Sequence, residues 1–185
     1  MKQLKEVFLR GLDLVNTNKL LGKAFIECKR LEILDISDNS IELVNQRCLD
    51  AIQDLIVNTK RLKHLIMNDV VINEEEGKNF LDSFHMNCTI ISWNYEQHPS
   101  LKKDTYERIE AELTVNTLID ALVQPYYQSN HPSMLDLSNK KLAKTESIIK
   151  FLKCNQHIYD INLENNEFED VEIRNLIEYL VSRRK

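Results

Sequence analysis

The chain is short of the residues that break regular structure: 185 residues contain only three glycines and three prolines. So few punctuators disfavour a loop-rich fold and favour regular helices. No glycine-rich loop occurs that could cradle a phosphate, no G-x-S-x-G elbow and no HExxH arrangement. The five histidines, His64, His85, His98, His131 and His157, show no i, i+4 pairing. Four cysteines lie far apart with no C-x-x-C pair, which speaks against a zinc knuckle or a redox motif. No stretch approaches the roughly 18 apolar residues of a membrane span. The N-terminal MKQLKEVFLRGLDLV interleaves charges with its apolar residues, unlike a signal peptide. The net charge of −5 supplies no basic field, so nucleic acid is a poor partner. Neither an enzyme nor a cofactor or metal is expected, and the expected compartment is the cytoplasm, with the nucleus as the alternative.

What is present is a repeat. RLEILDISDNSI, residues 30–41, and HIYDINLENNEF, residues 157–168, share apolar places at Leu31, Leu34, Ile36 and Ile41 and at Ile158, Ile161, Leu163 and Phe168, with Asn39 matching Asn166. Looser copies give six units starting at 4, 31, 62, 90, 132 and 158. A second signal precedes unit starts: Leu55-x-x-Asn58, Phe84-x-x-Asn87, Leu113-x-x-Asn116 and Leu152-x-x-Asn155. Asn tolerates the left-handed conformation that ends a helix, so these read as C-caps. Asn73-Glu-Glu-Glu76 reads as a helix start, with an Asn able to accept from first-turn amides and acids that complement the helix dipole. Each unit is therefore a short strand, a turn and a helix, and neighbouring units bury one another's apolar side.

The spacing resembles the leucine-rich repeat family, specifically its ribonuclease-inhibitor-like class of about 28-residue units. The likeness covers nearly the whole chain, with Leu12, Val70, His98 and Lys140 standing where the family usually has Asn. It implies an α/β solenoid, a horseshoe with parallel strands on the concave side and helices on the convex side, and a binding scaffold.

Residues 1–185 are read as one such domain with an irregular insertion near 117–131. Either the helix ending near Asn116 runs on through Leu122 and Val123 to Pro125, or an extra strand starts at Leu118. In both readings Tyr126 and Tyr127 fall in a Pro-flanked loop and are candidate contact residues. Trp93 and Tyr95 sit at apolar places and read as packing. Cys28, Cys88 and Cys154 fall in helix-to-strand turns, where small residues pack.

Alternation along a strand turns the spacer places away from the core. Those places hold nine acids, Glu6, Glu32, Asp35, Asp38, Asp69, Glu96, Asp136, Asp160 and Glu164, against the bases Lys5, Arg10 and Lys63. That makes −6 on the inner face, leaving about +1 for the rest of the chain. A concave surface of one sign attracts the other, so the expected partner is a basic protein segment. The partner-binding set is Asp35, Asp38, Ile66, Asp69, Asn94, Glu96, Asp136, Asp160, Asn162 and Glu164, with Phe8, Ile66, Ile91 and Met134 as apolar anchors. No cap sequence precedes the first unit, which suits a subunit of a larger assembly held through that edge. The last helix, with Ile173, Leu176, Ile177 and Leu180 on one face, reads as its own partial cap. The alternative function is regulation, as inhibitor, activator or capping factor, of an enzyme, a small GTPase or a cytoskeletal polymer, roles the resemblance brings with it.

Overall fold

The computed structural model describes residues 4–12, 24–39, 46–95, 100–128 and 133–183. Of the positions singled out above, Leu14, Ile41, Glu96, His98, His131, Pro132 and the side chains of Cys48, Pro125 and Tyr127 lie outside the described residues. Six strands are described: β1 (Glu6–Phe8), β2 (Ile33–Asp35), β3 (His64–Ile66), β4 (Ser92–Asn94), β5 (Met134–Asp136) and β6 (Asp160–Asn162). The helices are α1 (Gln46–Asn58), α2 (Glu74–His85), α3 (Lys103–Gln128), α4 (Glu146–Cys154) and α5 (Asp170–Ser182). Every strand occupies the third to fifth places of its repeat unit. Parallel strands thus alternate with helices, the α/β arrangement expected of leucine-rich-repeat units.

The chain divides into two compact units, residues 1–117 and 118–185. In the first, β1 to β4 form one parallel sheet in sequence order. Its register follows the repeat: Val7, Leu34, Leu65 and Trp93, all fourth places, pair in succession. Leu34 and Leu65 are buried beneath α1 and α2 residues Leu49, Leu55, Phe80 and Phe84 in one apolar cluster. Trp93, 3% exposed, stacks on Phe80 at 5.9 Å and on Tyr95 at 4.7 Å, so the packing reading holds. In the second unit β5 and β6 pair in parallel with Leu135 opposite Ile161. Its core holds Leu135, Leu137, Phe151, Leu152, Ile158 and Leu176.

Several expectations about helix ends are corrected. Residues 103–128 are one helix, so of the two readings of the insertion the run-on is the observed one. Its buried stripe, Ile109, Leu113, Asn116, Ile119 and Val123, keeps helical spacing straight through Asn116, which is therefore no C-cap. Tyr126 and Tyr127 lie in the last turns of that helix rather than in a loop. The other helix-end asparagines adopt no left-handed conformation either: Asn155, the C-cap of α4, has φ −129°. They act through side-chain amides instead. Asn58 donates to Asp54 O at 2.8 Å, Asn155 to Phe151 O at 2.9 Å, and buried Asn87 to Ile56 O of the preceding unit at 2.8 Å. At the start of α2 the capping box forms as read: Glu76 N–H donates to Asn73 Oδ1 at 2.9 Å and Asn73 N–H to Glu76 Oε2 at 2.8 Å. Cys28 and Cys88 are buried in the turns assigned to them, and Cys154 ends α4.

The last helix covers the core only in part. Only Leu176 of its four apolar residues is buried, while Ile173 and Ile177 are 37% and 53% exposed.

The candidate functional site

The left-handed conformation missing from the helix ends recurs at the five described eighth places: Gly11, Asp38, Asp69, Asn139 and Asn165 have φ between 55° and 62°. Gly, Asn and Asp are the residue types that tolerate it, and each ends the strand in a tight turn. The clue was in the sequence as five such residues in register.

The fifth place has a local task as well. Asp35 Oδ1 accepts Ser37 N–H at 3.0 Å, Asp136 Oδ1 accepts Ser138 N–H at 2.9 Å, and Asn162 Oδ1 accepts Glu164 N–H at 3.0 Å. These are Asx turns, in which the side chain stands in for a backbone acceptor.

Asp35 goes further. It is 2% exposed, and Arg10 Nε closes on its Oδ2 at 2.7 Å. Burial pushes its pKa up, but the Ser37 hydrogen bonds and the Arg10 guanidinium together hold it below the usual carboxylate value. Asp35 is therefore corrected from a contact residue to a buried strut between the first two units. Glu32 is likewise met by Lys5 at 3.7 Å.

Asp38 and Asp69 are exposed on the turns, and Ile66 and exposed Asn94 follow Asp35 along the fifth-place row. Beside them an open cleft of about 410 Å³ is lined by Asn68, Ile91, Ser92, Asn94, Tyr106 and Glu110 among others. Ser92, which lines it, has its Oγ 2.8 Å from His64 Nδ1 on the neighbouring strand. Glu96 is outside the described residues.

In the second unit the outward acids meet no base on their own strand faces. Asp136, Asp160 and Glu164 are all exposed, and no Lys or Arg occupies a strand-face place there. The Ser138 hydrogen bonds and the nearby Lys140 charge hold Asp136 below the ordinary carboxylate value, so it stays ionised. Met134, 39% exposed, pairs opposite Asp160, and half-buried Asn162 lies opposite Asp136. The predicted set is thus brought together as two separate groups, one per unit. In the first, Arg10 neutralises Asp35 while Asp38 and Asp69 stay exposed on the turns; the second is an acidic face with a methionine beside it.

Tyr126 is half-buried. Its hydroxyl lies 2.9 Å from His157 Nε2 and its ring meets Phe151 edge-on at 5.8 Å, so it packs α3 against α4. Burial raises its pKa.

Two links between units had no counterpart in the sequence reading. Asn39, fully buried, donates to Leu9 O at 2.5 Å and Ile36 O at 2.8 Å, and accepts Leu12 N–H at 2.9 Å. Asn166 repeats this toward Leu137 O at 2.9 Å and Leu142 N–H at 3.0 Å. The two strong copies of the repeat are therefore also the two that tie back to the preceding unit. Separately, Glu172 of α5 accepts Thr145 N–H at 2.9 Å, Thr145 Oγ1 at 2.8 Å and Lys144 Nζ at 3.1 Å. Those bonds, the Thr145 N–H foremost, hold its pKa down to about 2. Glu74 makes the corresponding link in the first unit, accepting Lys102 N–H and Thr105 Oγ1.

Among the described residues no group of three or more His, Cys, Asp or Glu is placed to hold a metal ion, and no helix is long and apolar enough to cross a membrane. No protein-family model and no curated protein matches the chain. A solved structure, the tropomodulin C-terminal domain from Caenorhabditis elegans, matches at 13% identity and a TM-score of 0.42, over 67% of this chain and 90% of that one.

Proposed function

We propose that the chain is a non-enzymatic protein-interaction scaffold of the ribonuclease-inhibitor-like leucine-rich-repeat class, holding a Lys- or Arg-rich segment of a protein partner on its β5–β6 face. The observation that carries this reading is the exposed trio Asp136, Asp160 and Glu164, unopposed by any base at the face places of that unit. An unneutralised row of one sign steers the opposite sign and fixes its register. Met134 supplies an apolar contact beside it, since a soft side chain adapts to varied partners. The β1–β4 face contributes less, because Arg10 and Lys5 already occupy Asp35 and Glu32.

Fluorescence anisotropy with a labelled lysine-rich peptide tests it. Asp160→Lys combined with Glu164→Lys is expected to weaken binding at least about tenfold, a change of ~1.4 kcal/mol. Glu6→Lys, on the other face, should leave it within about twofold. Equal affinity for all three proteins, or binding indifferent to salt, removes the β5–β6 face from consideration.

A further inference from the structure

Consecutive units are joined by one repeating backbone contact. Within each sheet, the second-place carbonyl of a unit accepts the N–H groups of the second and third places of the next: Lys5 O takes Glu32 and Ile33, and Ser133 O takes Tyr159 and Asp160. The sixth-place N–H then donates to the fifth-place carbonyl that follows, as Leu9 does to Asp35 and Leu137 to Asn162. On the outer edge of β6, Tyr159 O and Leu163 N–H make no such bond among the described residues. On the outer edge of β1, the Lys5 and Glu6 N–H groups and Phe8 O make none. Each edge offers the half that the other lacks.

The side chains match in the same way. On α5, Ile173, Ile177 and Val181 stand four residues apart and are exposed, the last two at 53% and 59%. The first unit exposes Leu4 at 43% and Leu12 at 57%, while Phe8, 58% exposed, leaves the strand on the face turned away from the helices. Charge is opposite: residues 1–30 hold seven Lys or Arg against three Asp or Glu, whereas residues 158–185 hold seven Asp or Glu against four Lys or Arg. Tyr159, 80% exposed, occupies the second place of its unit, as Lys5 does in the first.

We propose that the outer face of the sixth unit binds the first unit of a second copy of this chain, β1 pairing in parallel with β6, so that copies associate head to tail. In the register of the other junctions Val7 falls opposite Ile161, Phe8 opposite Asn162, and the Lys5 ammonium beside the Tyr159 ring, a cation–π contact. The contact joins two different surfaces, so two copies joined once leave one unused edge on each for further copies. The occupant is self because the two edges share one repeat geometry and carry complementary charge.

Sedimentation velocity across a concentration series tests this in the full chain. The expected result is mass that rises with concentration past the dimer and falls with salt. Ile177→Asp blocks one face and Phe8→Asp the other. Both positions are exposed, so far-UV circular dichroism should be unchanged in each, and each alone should weaken association at least about tenfold. Mixed together, the two variants retain one intact pair of faces and should form a discrete dimer. A chain that stays monomeric at all concentrations overturns the proposal. So does a dimer that Ile177→Asp abolishes while Phe8→Asp leaves it intact, since that contact is symmetric.

Discussion

Replacing Asn39 by alanine removes the side chain that ties the second unit to the first. Its amide nitrogen serves the carbonyls of Leu9 and Ile36, and also that of Ser37 at 3.0 Å, while its oxygen holds the Leu12 N–H. Water can replace the asparagine at exposed Leu12, but not at the buried Ile36 and Ser37 carbonyls. Each buried polar group left without a partner costs about 1–3 kcal/mol, and a replaceable hydrogen bond about 1 kcal/mol. Because the buried carbonyls share their donor, the sum falls at about 2–4 kcal/mol. The single tryptophan, Trp93, lies in the same unit, so urea unfolding followed by its fluorescence reads this loss directly. Amide exchange at residues 9–12 should accelerate in parallel, as the first strand–turn segment loses its anchor. Asn166→Ala, at a half-buried place, should cost less, about 1–2 kcal/mol, measured by circular dichroism. An Asn39→Ala loss within about 0.5 kcal/mol, the spread of ordinary surface changes, would show that the ladder rung does not hold the units together.

Glu172 makes stability depend on acid: its folded pKa of about 2 lies below the ordinary 4.5, so its contribution is complete above about 4.5 and drains as pH falls toward 2. Glu172→Gln should flatten the acid limb of a stability–pH curve between those values, and an unchanged limb would place the low pKa elsewhere. Asp35→Ala should destabilise by about 1–3 kcal/mol, since it strands the buried Ser37 N–H, whereas Asp160→Ala should stay within about 0.5 kcal/mol. Equal losses in chemical denaturation would mean that the burial of Asp35 has no energetic consequence.

The repeat was legible because period-2 strands impose it: apolar residues at the first, fourth and sixth places can reach one core only if the chain extends between them. Leu34, Leu65 and Leu135 are buried for that reason. The run-on of α3 was not legible from Leu113-x-x-Asn116, because a buried Asn fits a helix interior when a neighbouring carbonyl awaits it. Ile90 O, 2.7 Å from Asn116 Nδ2, is that carbonyl, and it lies 26 residues away in sequence. Spacing tells which side of a strand a carboxylate leaves from, not whether it turns back on its own backbone, so the burial of Asp35 was not legible. Asp35-Ile-Ser37 and Asp136-Leu-Ser138 carry the same Asx signature. Only the second remains exposed, because no arginine reaches it from a neighbouring strand.

The left-handed eighth place inverts the ordinary mutational landscape of this glycine-poor chain. Elsewhere a change to glycine loosens the backbone and is disfavoured. At Asp38, Asp69, Asn139 and Asn165 it relieves a conformation that a side chain tolerates at a cost, and only Gly11 already has that relief. Those four positions, with Lys141 at φ 55°, are where among the described residues drift toward glycine is freest and where a β-branched residue would be eliminated first. Related sequences should therefore vary there among three amino acids while the strands beside them vary among many.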